Sequence, residues 1–407
     1  VTAYDPADPR WSLDPGPLFD EIRESAPVQL TDANYWVLSR HADCLAVLRS
    51  REASSDSLHV HPDKQPRGFS SPSRDLERDL ILATGEDNRP FLFRDPPDHE
   101  RLRSLVQRAF TPRRVDELRP FVRSLARELV ARHLDGAPFD AVASLAWPLP
   151  VAVICEMLAI PESDHDSFQH QSALLARGLD PDFLLSEADR QARDEAGLHF
   201  IDYFSALFAE RRRSPGDDLL SALVAARDGQ DRLSEGELLS TAILLLVAGH
   251  ETTMNLISGS LLWLSRDRAA QAYLREHGVD RRAVDELLRV VSPVQLTGRT
   301  LLGDVTVDET VIPEGSFVMV LLAAANRDPA VFADPTALTL TRDPNPQLGF
   351  GFGLHHCLGS PLARLEAQVL LEELLAATTS FEVTGPVTYR PNIVLRGLAE
   401  LEVVLER

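Results

Sequence analysis

Apolar positions along this chain recur mostly at helical spacing, with short alternating runs near both ends. Val28-Gln29-Leu30 and Tyr35-Trp36-Val37-Leu38 read as a strand pair joined across Thr31-Asp32-Ala33-Asn34. Residues 54–90 keep neither period, are rich in Ser, Asp, Pro and Arg, and read as a long loop with broken helix, a common form for a functional lid. Helical periodicity returns over residues 101–110 and 115–134. Ser234-Glu235-Gly236-Glu237 has the form of a capping box, and the apolar pattern behind it continues to about residue 264. A helix of roughly thirty residues spans about 45 Å, enough to cross a domain. Residues 304–317 alternate with turn residues, Pro313-Glu314-Gly315 among them, and predict a hairpin. Leu362, Leu365, Val369, Leu370 and Leu374 mark a last helix. Internal repeats and linkers are missing from the pattern. It therefore predicts a mainly α protein with a small β-rich region (α+β), one domain over residues 1–407, although length alone allows two or three.

Composition narrows the function classes. The 407 residues carry 41 Lys and Arg against 62 Asp and Glu, a net charge of −21, which repels phosphate and argues against broad nucleic-acid binding. Lys64 is the single lysine. Arg101, Arg103, Arg108, Arg113 and Arg114 form a local exception after Asp98-His99, readable as a solvated face or as a docking surface. Cys44, Cys155 and Cys357 are far apart, so a disulfide framework is disfavoured and a reducing compartment fits. Residues 1–20 are too polar for an anchor, and the apolar run 242–248 is too short to span a bilayer. These features predict a cytoplasmic protein with no membrane anchor. His59 and His61 flank Val60 in a polar loop without an evident third metal ligand.

The chemistry centres on Phe350-Gly351-Phe352-Gly353-Leu354-His355-His356-Cys357-Leu358-Gly359. Cys357 has no cysteine partner nearby, which rules out a CxxC zinc knuckle. What remains is a thiolate at a helix N-terminus, where the dipole and free amides favour negative sulfur. Holding one iron on such a thiolate is haem-thiolate chemistry, and glycines let backbone approach a flat macrocycle. A buried structural cysteine beside a tight turn is the alternative. On the long helix, Ala248-Gly249-His250-Glu251-Thr252-Thr253 combines a glycine costing about 1 kcal/mol in helix propensity with a threonine able to bond the carbonyl four residues back. Together they can open a notch, and an acid–alcohol pair there suits delivery of two protons to dioxygen away from bulk water. A packing kink is the alternative. Glu286 and Arg289 are an i, i+3 pair, and His99 and Arg103 lie four apart on one helix face, able to meet one anion. Leu244, Val247, Ala248 and Thr252 share a face of the long helix.

These residues resemble the cytochrome P450 monooxygenases. Phe350, Gly351, Gly353, His355, Cys357 and Gly359 match the family's FGxGxHxCxG, and Ala248 to Thr253 match its (A/G)-G-x-(D/E)-T-T. Glu286 and Arg289 match ExxR with Arg342 as the third member, and His99 and Arg103 match HxxxR after Asp95-Pro96-Pro97. Two departures stand out: Gln347 where a histidine is usual after Asn-Pro, and Leu338 in place of a common phenylalanine. The resemblance implies the P450 fold, with haem b between the long central helix and the helix after the cysteine loop, and Cys357 as axial iron ligand. It implies Glu251 as proton relay, Thr252 as the hydrogen-bonding partner of dioxygen, Ala248 beside the haem, and His250 without a catalytic part. His99, Arg103, Arg299 and His355 become the propionate contacts, and Glu286, Arg289 and Arg342 a structural brace. Leu244, Val247, Val294, Leu296, Ile393 and Val394 become pocket candidates, mostly apolar, which fits a small lipophilic substrate. The implied enzyme is a monomer that hydroxylates or epoxidises that substrate with dioxygen in secondary metabolism. A separate ferredoxin and an NAD(P)H-dependent reductase supply its electrons, the ferredoxin docking by the arginine run. The alternatives are a peroxide-driven peroxygenase and a catalytically silent recruitment module on the same fold.

Overall fold

The computed structural model describes residues 4–67, 87–228 and 231–407. Much of the long loop expected over residues 54–90 thus lies outside the described residues, while its first part forms short 3-10 turns at Ser57–His59 and Pro62–Lys64.

The central element is the 31-residue helix Glu235–Ser265. It starts where its capping box dictates: Ser234 Oγ accepts from Glu237 N at 3.2 Å, and Glu237 Oε2 accepts from Ser234 N at 2.8 Å. The helix runs unbroken through residues 248–253, where a notch was expected. Gly249 acts there by close approach instead. A Cβ on it would lie 3.1 Å from Ile154 Cδ1, tighter than ordinary packing, so glycine lets the helix Pro148–Leu158 lie against the central one. Helices Arg281–Val291 and Ser360–Ala377 pack on the same rod, and the largest hydrophobic core gathers around it.

The helix expected at residues 101–110 begins earlier, at Asp98, whose carboxylate and that of Glu100 lie in the positive first turn. The single helix expected over 115–134 is two, Pro112–Glu117 and Arg119–Ala131. Pro120 explains the break, since it has no N–H to continue the earlier ladder.

A five-stranded sheet lies at one side, in the order Val28–Leu30, Trp36–Leu38, Phe317–Val320, Thr297–Leu301, Ala53–Ser54. The first pair is the predicted hairpin, with Val28 opposite Leu38 and Asn34 turning at φ 64°. Residues 304–317 divide. Val305–Val307 and Thr310–Ile312 form a small hairpin, whereas Phe317 opens a strand of the large sheet, parallel to Trp36–Leu38 and antiparallel to Thr297–Leu301. Pairing of Val318 with Arg299 fixes the height at which that arginine leaves the sheet. Among the described residues no helix is long and apolar enough to cross a membrane.

Glu286 and Arg289 have fully buried side chains. Glu286 Oε2 accepts from Arg289 Nε at 2.8 Å and Arg342 Nε at 3.0 Å, and Oε1 from Arg289 Nη2 at 2.9 Å and Thr339 N at 2.8 Å. Arg289 also donates to the carbonyls of Asn326, Pro335 and Ala337. Every charge in this cluster meets hydrogen bonds, which makes its burial affordable and ties down the chain leading to Cys357. Gln347 Oε1 accepts from Gly349 N at 2.6 Å, and Leu338 packs half-buried against the main core.

Candidate active site

Residues 350–359 form a tight loop between that brace and the helix Ser360–Ala377. Cys357 N donates to Phe350 O at 2.9 Å, closing the loop. Gly351 and Gly353 sit at φ 68° and 71°, a region that side-chain-bearing residues avoid. Cys44 and Cys155 are buried, and burial pushes the Cys155 thiol up to about 12. Cys357 alone of the three reaches open space. Burial raises its thiol pKa too, but the backbone of Gly359, then Arg103, Arg364 and the backbone of Ser360, pull the other way. Cys357 lines a cavity of about 380 Å³ with Arg103, Gln107, Phe110, Pro112 and Val115.

The central helix contributes an opening. From Gly236 to Ser265, all of them described residues, Ala248 is the one exposed position. Thr252 Oγ1 donates to Ala248 O at 3.0 Å, the back-bond its type and place predict. His250 is buried, with Nδ1 2.7 Å from Leu246 O and Nε2 2.9 Å from Ser172 Oγ. Burial lowers its pKa, so it serves as a neutral packing contact between helices. Glu251 is only 3% exposed and pairs with Arg390, 2.9 Å away. Sequence reasoning missed Arg390 and its second partner Asn255, since no local period connects them to the central helix.

His99, Arg103, Arg299 and His355 converge. The His99 and His355 rings lie 4.3 Å apart, and Arg103 Nη2 donates to His356 O at 2.7 Å. Arg299 is 8% exposed and, among the described residues, bonds within its own strand, to Thr297 Oγ1 and Gly298 O. Both ring nitrogens of His99 and Nδ1 of His355 are buried without a hydrogen-bond partner among the described residues. Burial, then Arg299, His99 and Arg103, push His355 down to about 3, and burial pushes Arg299 down to about 10. Crowded basic groups with orphaned donors call for an anion. A haem with its propionates fits these residues: a thiol reaching open space, a glycine loop, unsatisfied bases and a helix bared at Ala248.

The other expected residues lie on the central helix and on two segments that pair with each other, Gln295 N donating to Val394 O at 2.9 Å. Leu244 and Val247 are half-buried on the central helix, Leu244 against the main core. Leu296 and Ile393 are buried in a second core cluster with Val394 against it, while Val294 packs on the cluster under the sheet. Of the arginine run, Arg101 turns inward to Glu237 at the start of the central helix, and Arg103 to the cysteine loop. Arg113 stays exposed beside Glu117, and Arg108 is exposed. The run is therefore not one continuous surface. His59 Nδ1 lies 3.1 Å from Ser54 Oγ and 3.2 Å from Asp95, and among the described residues no group of three His, Cys, Asp or Glu could hold a metal ion.

Comparison with known proteins agrees with this geometry. The family description "Cytochrome P450" matches residues 162–278 and 279–394. The solved cytochrome P450 PksS of the bacillaene polyketide synthase of Bacillus subtilis 168 superposes with a TM-score of 0.87 at 34% identity, covering 100% of both chains. Ligand-free CYP164A2 of Mycobacterium smegmatis superposes with a TM-score of 0.86 at 40% identity over 98% of each chain. The mycinamicin IV hydroxylase/epoxidase of Micromonospora griseorubida is 38% identical over 95% of this chain and 94% of its own. The chain belongs to the cytochrome P450 family and is an oxidoreductase, a monooxygenase of the fold that carries haem on a cysteine thiolate.

Proposed function

We propose that this enzyme hydroxylates or epoxidises a small lipophilic product of secondary metabolism, using haem b held by Cys357. The observation that carries the reading is the coincidence of an open thiol at Cys357 with three buried ring nitrogens, both of His99 and Nδ1 of His355, that have no hydrogen-bond partner among the described residues. When bound, haem supplies the iron at which thiolate donation favours cleavage of dioxygen. Arg103, Arg299, His99 and His355 would neutralise and orient its propionates. Phe350, Gly351, Gly353 and Gly359 shape the loop that would hold it, and Ala248 would leave room for it on the central helix. Thr252 holds its hydroxyl at the bared turn, and Glu251 passes protons inward from solvent. Glu286, Arg289 and Arg342 keep the loop in place without touching the chemistry.

Leu244, Val247, Val294, Leu296, Ile393 and Val394 are the proposed pocket lining, and their apolar character supports a lipophilic substrate. Two relatives, one named for polyketide biosynthesis and the other for hydroxylation or epoxidation of mycinamicin IV, support the same class. Electrons would come from a ferredoxin and an NAD(P)H-dependent reductase. Arg103 and the exposed Arg108 and Arg113, near the cavity that reaches Cys357, supply a basic approach for an acidic donor. We take residues 1–407 as one catalytic domain acting as a cytoplasmic monomer. Retention of Glu251 and Thr252 favours this reading over a peroxide-driven one, and Cys357 favours it over a silent module. Turnover of a lipophilic substrate library under ¹⁸O₂, with ferredoxin, reductase and NADPH, tests it. One labelled oxygen in the product is expected; equal turnover with peroxide alone overturns the electron-transfer reading.

A further inference from the structure

Glu251 is buried on the central helix, and its charge is met from a segment 139 residues away. Arg390 Nη1 donates to Glu251 Oε2 at 2.9 Å, and Nη2 donates to Asn255 Oδ1 at 2.6 Å. Glu251 and Asn255 stand one turn apart on the same face, so one planar guanidinium spans both. The backbone around Arg390 is shaped for this contact. Arg390 N donates to Gly397 O at 2.9 Å, closing the hairpin of Thr388–Tyr389 and Leu398–Glu400. A Cβ at Gly397 would overlap Asn255 Oδ1 and lie 2.6 Å from Arg390 Nη2, so glycine leaves room for the contact between those two side chains.

The remaining groups around Glu251 carry little charge. His250 Nε2 lies 3.9 Å from Oε1, but burial keeps that imidazole neutral, and it is engaged by Leu246 O and by Ser172 of the helix His165–Arg177. Asn255 is neutral. Arg390 is therefore the cation that meets Glu251 among the described residues, and its side chain is 23% exposed where that of Glu251 is 3%. The pair links a buried carboxylate to water. The same segment continues to Ile393 and Val394, whose amides donate to the buried Asp180 at 3.2 and 2.9 Å. Arg177 pairs with Asp180 and donates to Pro391 O at 3.0 Å. Residues 390–394 are thus pinned at one end to the central helix and at the other to the connection after the helix His165–Arg177.

We propose that Arg390 is a positioning residue for Glu251: its guanidinium sets the orientation of the carboxylate beside Thr252, and the acid exchanges protons with solvent as that ion pair loosens. This rests on the reading of Glu251 as proton relay. Any movement of residues 390–394 then alters the acid as well as the pocket wall, because one arginine serves both. A purely structural role would tether the hairpin to the helix without passing through the carboxylate.

A double-mutant cycle on the haem-loaded enzyme separates these roles, read as product formed per NADPH consumed. Arg390→Gln should lower that ratio several-fold, and should lower it no further in a Glu251→Gln background. Arg390→Lys, which keeps the charge but loses the fork, should recover part of the ratio, and it serves as the second variant if Arg390→Gln folds poorly. A second readout needs no turnover. Infrared difference spectra of Arg390→Gln against the parent at neutral pH should show an added protonated-carboxyl band, beyond that of the buried Glu366, and Glu251→Gln should remove it, since a buried carboxylate without its cation takes up a proton. Equal losses in both backgrounds, or no new band, overturn the inference. If Glu251→Gln alone leaves coupling intact, the relay reading falls and this inference with it. If Glu251→Gln uncouples while Arg390→Gln does not, the inference about Arg390 falls alone.

Discussion

The imidazoles of His99 and His355 lie 4.3 Å apart, and neither nitrogen of His99 meets a hydrogen-bond partner among the described residues. Two bases packed together beside Arg103 and Arg299 gain nothing from one another. Their placement makes sense as half of a contact whose other half is anionic. Arg299→Leu should therefore release haem about tenfold faster, the loss of roughly 1.4 kcal/mol expected for one charge-assisted bond. Transfer of haem to an acceptor globin measures it, and an unchanged rate removes Arg299 from the cradle.

Cys357→Ser should abolish the strongly red-shifted Soret band of the reduced carbon monoxide complex while circular dichroism still reports folded protein. The parent enzyme should show that band, because thiolate donation to iron produces it. A globin-like band in well-folded parent protein would sink the assignment of Cys357.

Thr252→Ala removes the hydroxyl at the bared turn but leaves a good helix former in its place. Electron consumption should continue while product falls by about 10²-fold, the lower end of what a positioned proton donor contributes. Oxygen uptake measured beside product formation checks this, and unchanged coupling removes Thr252 from proton delivery.

Glu286→Gln leaves Arg289 and Arg342 facing a neutral amide inside the protein. Removing one partner of a buried pair costs about 3–5 kcal/mol, enough to consume much of a domain's stability. Urea unfolding should show that loss, and a change under 1 kcal/mol would mean the cluster is far wetter than its burial indicates.

His250 gives a pH dependence with a definite sign. Burial lowers its pKa in the folded protein, so below the unfolded value near 6.5 the unfolded chain binds the extra proton. Its contribution is complete above that pH and declines as pH falls, by at most about 1.4 kcal/mol per unit. Unfolding midpoints measured from pH 7 to pH 5 should drop, and His250→Gln should flatten the slope. An identical slope in that variant would assign the acid sensitivity to other groups.

Most of what the sequence determined is local. A capping box, an i, i+3 acid–arginine pair and a glycine-rich cysteine loop each act through neighbours along the chain, so their spacing already contains their geometry. The start of the central helix at Glu235, its length, the pairing of Glu286 with Arg289 and the place of Cys357 before a helix were all legible for this reason. The break at Pro120 was equally local and was passed over because the apolar period continues across it.

Tertiary structure decided the rest. Arg390 reaches Glu251, Asp180 accepts from the amides of Ile393 and Val394, and Ser172 meets His250 only because helices and a hairpin pack at particular distances. The inward turn of Arg101 to Glu237 and the exposure of Ala248 in the middle of the central helix have the same origin. Periodicity says which face of an element is apolar, not which distant element covers it. That is why the residue types of the acid–alcohol pair could be read from the chain, while the cation that holds the acid could not.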